Sequence, residues 1–315
     1  MDKQNALSAQ DAADMLKVSK STVYNMIRSG EISSYMVWRK VRFTEDDIKN
    51  YISRSAAAQT KRYSRPDAAT GFDLSAGSGE RENRGFVICG QDLMLDVLSN
   101  YMRAHGVPAL RAYIGSYDSL TLLYKNKIDV ASSHLWDSET DQYNIPYVKR
   151  LLPGIRAVVI HLTCRMQGFY IRKGNPKSIR AWEDFGRDDI VMINREHGAG
   201  SRVLLDENLK LLGISGSGVK GYTAEKPSHL ALASAVSSGK ADVAVGIEKI
   251  ARQVDNIDFI PMKKERYDLV VKKELMPSPE IRTMMDIIKS PAFNREFSDI
   301  GGYDTSDMGK IAAEI

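Results

Sequence analysis

Two hydrophobic patterns divide the chain. Over residues 8–54 apolar positions recur at helical spacing in short bursts, whereas from residue 85 onward short apolar runs alternate with helix-period segments. In the first stretch Ser8 and Asp11 have the spacing of a capping box, and Ala12, Ala13 and Leu16 form one apolar helix face. Val18 and Ser19 form a turn, with Ser19 as N-cap of a second helix over residues 20–29 that Gly30 ends. Val23, Met26 and Ile27 face inward, which leaves Lys20, Ser21, Thr22, Tyr24, Asn25 and Arg28 on the outer face or at the helix start. Residues 34–37 and 41–44 predict a hairpin with Trp38, Arg39 and Lys40 at its tip. Thr44 then caps a third helix with Glu45, Asp46 and Asp47 in its first turn, where the helix dipole favours negative charge. Ile48, Tyr51 and Ile52 close this small core.

Residues 55–84 lose apolar periodicity and gather Ala, Ser, Gly and mixed charges, a linker composition too long for a loop inside one domain. The division is therefore residues 1–55, a linker over 56–84, and a second domain over 85–315. In that domain strands are expected at 86–90, 110–114, 128–132, 157–162, 168–172, 190–194, 241–247, 259–261 and 267–271. Helices are expected at 92–105, 117–126, 203–212 and 228–238, with two more after residue 278 and Pro291 between them. Such alternation indicates α/β architecture with parallel strands and ligands beyond the strand ends. The segments 157–162 and 168–172 are placed to cross between two lobes, and 259–261 and 267–271 to return. Lobe I then spans about 85–165 and 265–315, and lobe II about 166–264.

Composition changes this picture little. With 315 residues, 43% hydrophobic and 27% charged, the chain is ordinary globular material for two or three domains, and its net charge of +4 permits nucleic-acid contact without requiring it. The only cysteines, Cys89 and Cys164, lack CxxC spacing and read as free thiols of a reducing compartment. The first residues lack the apolar run of a signal peptide, and no run approaches the roughly 20 apolar residues of a membrane helix. A cytoplasmic protein that does not contact a membrane is expected.

The chemistry concentrates at helix starts. A helix enters the major groove by its N-terminal end, so Lys20, Ser21, Thr22, Tyr24, Asn25 and Arg28 are candidates for DNA contact, with Arg39, Lys40 and Arg42 on the hairpin for phosphates. Gln91, Asp92, Ser116, Ser133, His134, Ser201 and Ser228 fall at strand-to-helix corners. Such corners present unpaired backbone N–H groups and a positive dipole end to an anion. Asn194, Arg195, Arg202 and His229 add side-chain donors, although arginine forks more naturally onto a carboxylate. Asp92 would repel a dianion and is expected to cap its helix while Gln91 donates. The GAGSR segment lacks the spacing and lysine of a phosphate loop, and metal-ligand spacing is absent, so neither nucleotide hydrolysis nor a metal centre is expected.

Residues 8–54 resemble the excisionase-like, MerR-related winged helix-turn-helix family in the order of turn, glycine and wing. Val37-Trp38-Arg39 stands where many members carry a wing glycine. The segments GSYDSLTLLYKNKIDVASSHLWD, INREHGAGSRVLLDENL and SHLALASAVSSGKADVAVGI resemble the periplasmic-binding-protein-like domain of cytoplasmic regulators related to molybdate-binding proteins. That family often has Gly-Ser-His-Asp where this chain has Cys89-Gly90-Gln91-Asp92. The resemblance implies a multi-domain protein, a winged helix-turn-helix followed by a two-lobed type 2 α/β binding-protein fold. It also implies a non-enzymatic transcriptional regulator, a homodimer on double-stranded operator DNA, with molybdate or tungstate as effector and no cofactor. A solute-binding component of an anion transporter, or a regulator sensing a small organic acid, remain the alternatives.

Overall fold

In the computed structural model of the chain, residues 7–16, 20, 23, 26–27, 32–37, 40–44, 47–48 and 85–315 are described. They fall into two compact units, one before residue 70 and one after it. The expected linker over 56–84 lies outside the described residues.

The first unit is built on two reciprocal caps. Ser8 N–H donates to Asp11 Oδ2 at 2.8 Å while Asp11 N–H donates to Ser8 Oγ at 3.2 Å. Thr44 and Asp47 repeat the exchange at 2.8 and 3.1 Å. The first cap starts α1 (Ala9–Leu16), which follows β1 (Leu7–Ser8). The hairpin is β2 (Tyr35–Val37) with β3 (Lys40–Phe43), and β1 joins it as a third strand, Leu7 opposite Phe43. That strand is too short to leave a pattern in the sequence. Lys20, Val23, Met26 and Ile27 are helical, as are Asp47 and Ile48. Ala12, Ala13, Val23, Met26, Phe43 and Ile48 are buried together, with Ile27 against them. Ser19, Trp38, Tyr51 and Ile52, and the side chain of Leu16, lie outside the described residues.

The second unit runs β4 (Phe86–Cys89), α2 (Leu93–Ala104), β5 (Ala109–Ala112), α3 (Ser116–Tyr124), β6 (Val130–Ser133), β7 (Trp136–Asp137), β8 (Gln142–Tyr143), α4 (Ile145–Leu151) and β9 (Ala157–Arg172). It continues through β10 (Asn194–Arg195), α5 (Gly200–Leu211), β11 (Glu225–Lys226), α6 (His229–Ser237), β12 (Val243–Ile247) and α7 (Glu248–Ala251). β13 (Ile257–Lys272), α8 (Pro279–Lys289), α9 (Pro291–Ile300) and β14 (Ile311–Glu314) complete it. Pro291 opens α9, where its missing N–H costs nothing.

The expected parallel arrangement holds for β5, β4 and β6 and for the short pair of β10 with β11. The spine of the sheet is antiparallel: β9 pairs with β13 along most of its length, and β12 and β14 each run antiparallel to β9. The strands expected at 157–162 and 168–172 are one continuous strand, and so are those expected at 259–261 and 267–271. The expectation broke them because polar residues interrupt the apolar runs, yet Thr163, Arg165, Gln167 and Glu265 are buried inside the protein. The strand expected at 190–194 shrinks to β10 and an isolated bridge between Met192 and Val243.

Alternating residues of the spine feed cores on both faces. At one end Ile160 and Leu269 pack with α2, α8 and α9, while Val159 and Val270 pack with α3 and α4. At the other end Phe169 and Ile171 pack with α5, and Tyr170 packs with α6. Two separately cored lobes therefore share two long strands, and the buried polar residues sit between the cores.

Candidate functional site

The polar middle of the spine is an ion cluster. Arg165 stands opposite Glu265 in the register of β9 and β13. Its Nε donates to Glu265 Oε1 at 2.6 Å, and another guanidinium nitrogen is paired with Asp92. The guanidinium lies over the Tyr267 ring at 4.4 Å. The second oxygen of Glu265 meets His134 Nδ1 at 2.8 Å. Burial alone would raise the Glu265 carboxyl, but Arg165 and His134 outweigh it and hold the group below its ordinary value. Burial likewise opposes the Arg165 charge, and Glu265 and Asp92 more than compensate.

Strand-to-helix corners surround this cluster. Gly90 takes φ +149°, and a Cβ there would lie 2.0 Å from Ser132 Oγ, so the β4–α2 corner requires glycine. Asp92 N-caps α2 by accepting from Met94 N–H at 2.7 Å. From the other lobe, the loop before α5 closes onto the first. Tyr117 N–H donates to Gly198 O at 3.0 Å, and a Cβ on Gly115 would stand 2.9 Å from that oxygen. A Cβ on Gly200 would stand 2.4 Å from the His134 ring. Arg195 gives Nε and a terminal nitrogen to Glu196 at 2.7 and 2.6 Å, and the same terminal nitrogen bonds Gln91 Oε1 at 2.5 Å.

These groups enclose a cavity of about 20 Å³, lined by polar groups of Gln91, Ser116, Ser132, His134, Arg165, Arg195, His229 and Tyr267. No carboxylate lines it; Asp92, Glu265 and Glu196 stand behind the arginines. His229 Nδ1, Ser133 Oγ, Ser201 Oγ and the Gln167 amide are buried without a hydrogen-bond partner. Burial first, then the charges of Arg195, Arg165 and His134, push the His229 imidazole well below its ordinary value, so it is neutral.

Five of the expected ligand residues line the cavity: Gln91, Ser116, His134, Arg195 and His229. Ser133 and Ser201 are buried with free hydroxyls but do not line it. The others are committed elsewhere. Asp92 caps α2 and neutralises Arg165. Asn194 bonds Tyr222 O and Arg195 N–H. Ser228 caps α6. Arg202 pairs with Asp206 and Glu225 at 3.0 and 3.3 Å and lies over the Tyr222 ring, which pins α5 to β11. Sequence reasoning missed Arg165, Ser132 and Tyr267, which line the cavity. The available signal was charged and amide side chains inside otherwise apolar strands. Among the described residues no group of His, Cys, Asp and Glu is placed to hold a metal ion.

In the first unit Lys20 is helical and exposed. Arg42 lies on β3 opposite both Ser8 and Tyr35, its guanidinium donating to Val41 O at 3.0 Å. Lys40 begins β3. Ser21, Thr22, Tyr24, Asn25, Arg28 and Arg39, and the Lys40 side chain, lie outside the described residues.

Known proteins match both units. The profile of the PBP superfamily domain matches residues 98–289, and that of a helix-turn-helix domain matches residues 6–56. The "Uncharacterized protein YvgK" of Bacillus subtilis is 40% identical, covering 100% of each chain. Among solved structures, the sulfate-binding protein SubI from Mycobacterium tuberculosis is 15% identical with a TM-score of 0.50, covering 70% of this chain and 85% of its own. EhuB in complex with hydroxyectoine is 12% identical with a TM-score of 0.51, covering 71% and 93%. These two likenesses establish the fold alone.

Proposed function

The chain belongs to the PBP superfamily, carried behind an excisionase-like helix-turn-helix domain, and on that premise we propose a transcriptional regulator whose DNA binding is switched by a small anion closed between the lobes. The observation that carries the ligand class is a polar lining that includes two arginines and no carboxylate. Serine and tyrosine hydroxyls, the His134 and His229 rings, the Gln91 amide and two arginines face the cavity, and Asp92, Glu265 and Glu196 are turned to those arginines. A fully deprotonated tetrahedral oxyanion, which needs donors on all sides and offers no proton, fits such a lining. Molybdate and tungstate lead that class.

A small organic acid is the weaker reading, because a carboxylate seeks a bidentate guanidinium. Arg195 already gives its fork to Glu196, and Arg165 gives its donors to Glu265 and Asp92, so both offer the cavity positive charge rather than a free fork. A transporter component is weaker too, since a helix-turn-helix domain has no use on a solute carrier. The SubI likeness carries its sulfate no further than the fold. The cleft binds its anion and does not transform it, because Glu265 is held by Arg165 and His134 and is not free to move a proton.

The regulator acts in the cytoplasm as a homodimer on two half-sites about one helical turn apart. The anion shifts DNA affinity only through its different affinity for the closed and open lobes. Thermal unfolding against molybdate, tungstate, sulfate, phosphate and small carboxylates tests the ligand class. A hundredfold excess over Kd stabilises by about 2.7 kcal/mol. Molybdate or tungstate is expected to give the largest shift, and silence from every tetrahedral anion would remove the assignment.

A further inference from the structure

A second constellation lies on the same long strands, outside the cleft lining. β9 and β13 slip register between Tyr267, opposite Thr163, and Asp268, opposite His161, so Leu162 is one residue extra on β9. Residues three apart on a regular strand face opposite ways. The bulge re-phases β9 and brings Cys164 and His161 to the same side, Sγ 3.7 Å from Nε2. His161 Nδ1 meets Asp268 Oδ1 at 2.7 Å, and the other oxygen of Asp268 accepts from Asn144 at 2.7 Å. The carboxylate is thus fixed, the ring is oriented by it, and Nε2 is aimed at the thiol. His161 and Asp268 are buried, while Cys164 is half-buried.

We propose that Cys164 is a nucleophilic thiol oxidised by hydroperoxides, with the His161 imidazolium stabilising its thiolate and Asp268 as the group that holds the imidazole. The thiol gives its proton to solvent, the N–H of the charged imidazole holds the thiolate, and the sulfur attacks one oxygen of hydrogen peroxide. The S–O bond forms as the O–O bond breaks, giving the sulfenic acid after proton transfer. The sulfur loses two electrons, the peroxide gains them, and the leaving hydroxide takes the proton from His161 to become water.

Electrostatics support the geometry. Burial alone would lower the His161 imidazole, but its hydrogen bonds to Asp268 and Cys164 raise it to about 9, so the ring is positively charged at neutral pH. A positive charge beside the sulfur favours the thiolate. The charged groups around the pair are Lys264 and Arg266 of β13, and Asp304 and Asp307 before β14, with Asp304 tied to Lys264 and Asp307 to Lys310. Tyr143 of β8 also feels the charge of the thiol and is uncharged, its phenol pushed up by burial. The chain's other cysteine is an internal contrast. Cys89 is fully buried against Ser119, and its burial pushes the thiol up to about 11.

The test uses the full-length protein with hydrogen peroxide at pH 6 and pH 8, sulfenic acid being trapped with dimedone and counted at each cysteine by peptide mass spectrometry. At pH 6 Cys164 is expected to react about tenfold faster than N-acetylcysteine, the gain in thiolate outweighing its lower nucleophilicity. Cys89 is expected to stay unlabelled until the protein is unfolded. His161→Gln should slow Cys164 by about tenfold at pH 6 and restore the steeper pH dependence of a free thiol. A wild-type rate at pH 6 no faster than that of N-acetylcysteine overturns the proposal, and this readout needs no variant to fold. An unchanged rate in folded His161→Gln would equally overturn it.

Discussion

Arg165 and Glu265 face one another across β9 and β13 in direct register, almost wholly buried, at the point where the two lobes share their only long strands among the described residues. A charge pair of this kind is retained at a desolvation cost, and removing one member is far worse than removing both. Glu265→Gln leaves Arg165 with Asp92 alone and His134 without its partner. It should lose about 3–5 kcal/mol of stability in urea unfolding. Lys263→Gln, which breaks an exposed pair with Asp141 on the same strand, should cost less than about 1 kcal/mol. Equal losses would contradict the cluster as described.

Closure of the cleft depends on a place where only backbone fits. Gly115→Ala puts a methyl within 2.9 Å of Gly198 O, on the opposite side of the cavity. Each lobe keeps its own core, so the melting temperature without ligand should change little. The affinity for the bound anion, read by calorimetry, should fall by at least about tenfold, since closed lobes are the binding-competent state. Undiminished affinity would mean that the Gly115–Gly198 approach is not part of closure.

The two histidines give the stability curve opposite slopes on either side of about pH 6.5. The folded His161 is raised from 6.5 to about 9, so its contribution is complete below the unfolded value and is lost as pH rises toward 9. The folded His229 is lowered and stays neutral, while the unfolded chain takes up a proton below about 6.5, so stability is lost as the solution is acidified. Urea midpoints across pH 5–9 should therefore peak near the middle. His161→Gln should flatten the alkaline limb by on the order of 2 kcal/mol, and His229→Gln the acid limb. Limbs unaffected by these replacements would reject both assignments.

On the DNA side, Arg39→Ala and Arg42→Ala should each weaken binding at every sequence alike. Each should reduce the slope of log affinity against log salt by about one, the mark of a lost phosphate contact. A retained slope would take the hairpin off the nucleic acid.

Much of this protein could be read from its residues. The Ser8–Asp11 cap, the Thr44 cap and Asp92 capping α2 are local, because a side-chain oxygen reaches an N–H two or three residues away and the spacing alone reveals it. The cleft was half legible for the same reason: Gln91, Ser116 and His229 sit at corners that a strand–helix alternation exposes. Arg165 and Glu265 were not, because a hundred residues separate them and a charge in the middle of an apolar strand reads as its end. Arg202 misled in the opposite direction. It follows the GAGSR turn at a helix start, yet α5 rotates it away from the cavity and onto Asp206, Glu225 and the Tyr222 ring. The bulge at Leu162, which joins His161 to Cys164, follows from strand register and has no local signature.

The most direct measurement is the affinity of the full-length protein for DNA with and without the anion. A duplex selected by the protein from a random pool would be titrated by fluorescence anisotropy at fixed salt, alone and with saturating tungstate or molybdate. A regulator whose cleft is coupled to its reader should change its Kd by at least about fivefold, the lower end of ordinary allosteric coupling. An affinity unchanged at an anion concentration that fully stabilises the second unit would contradict the coupling.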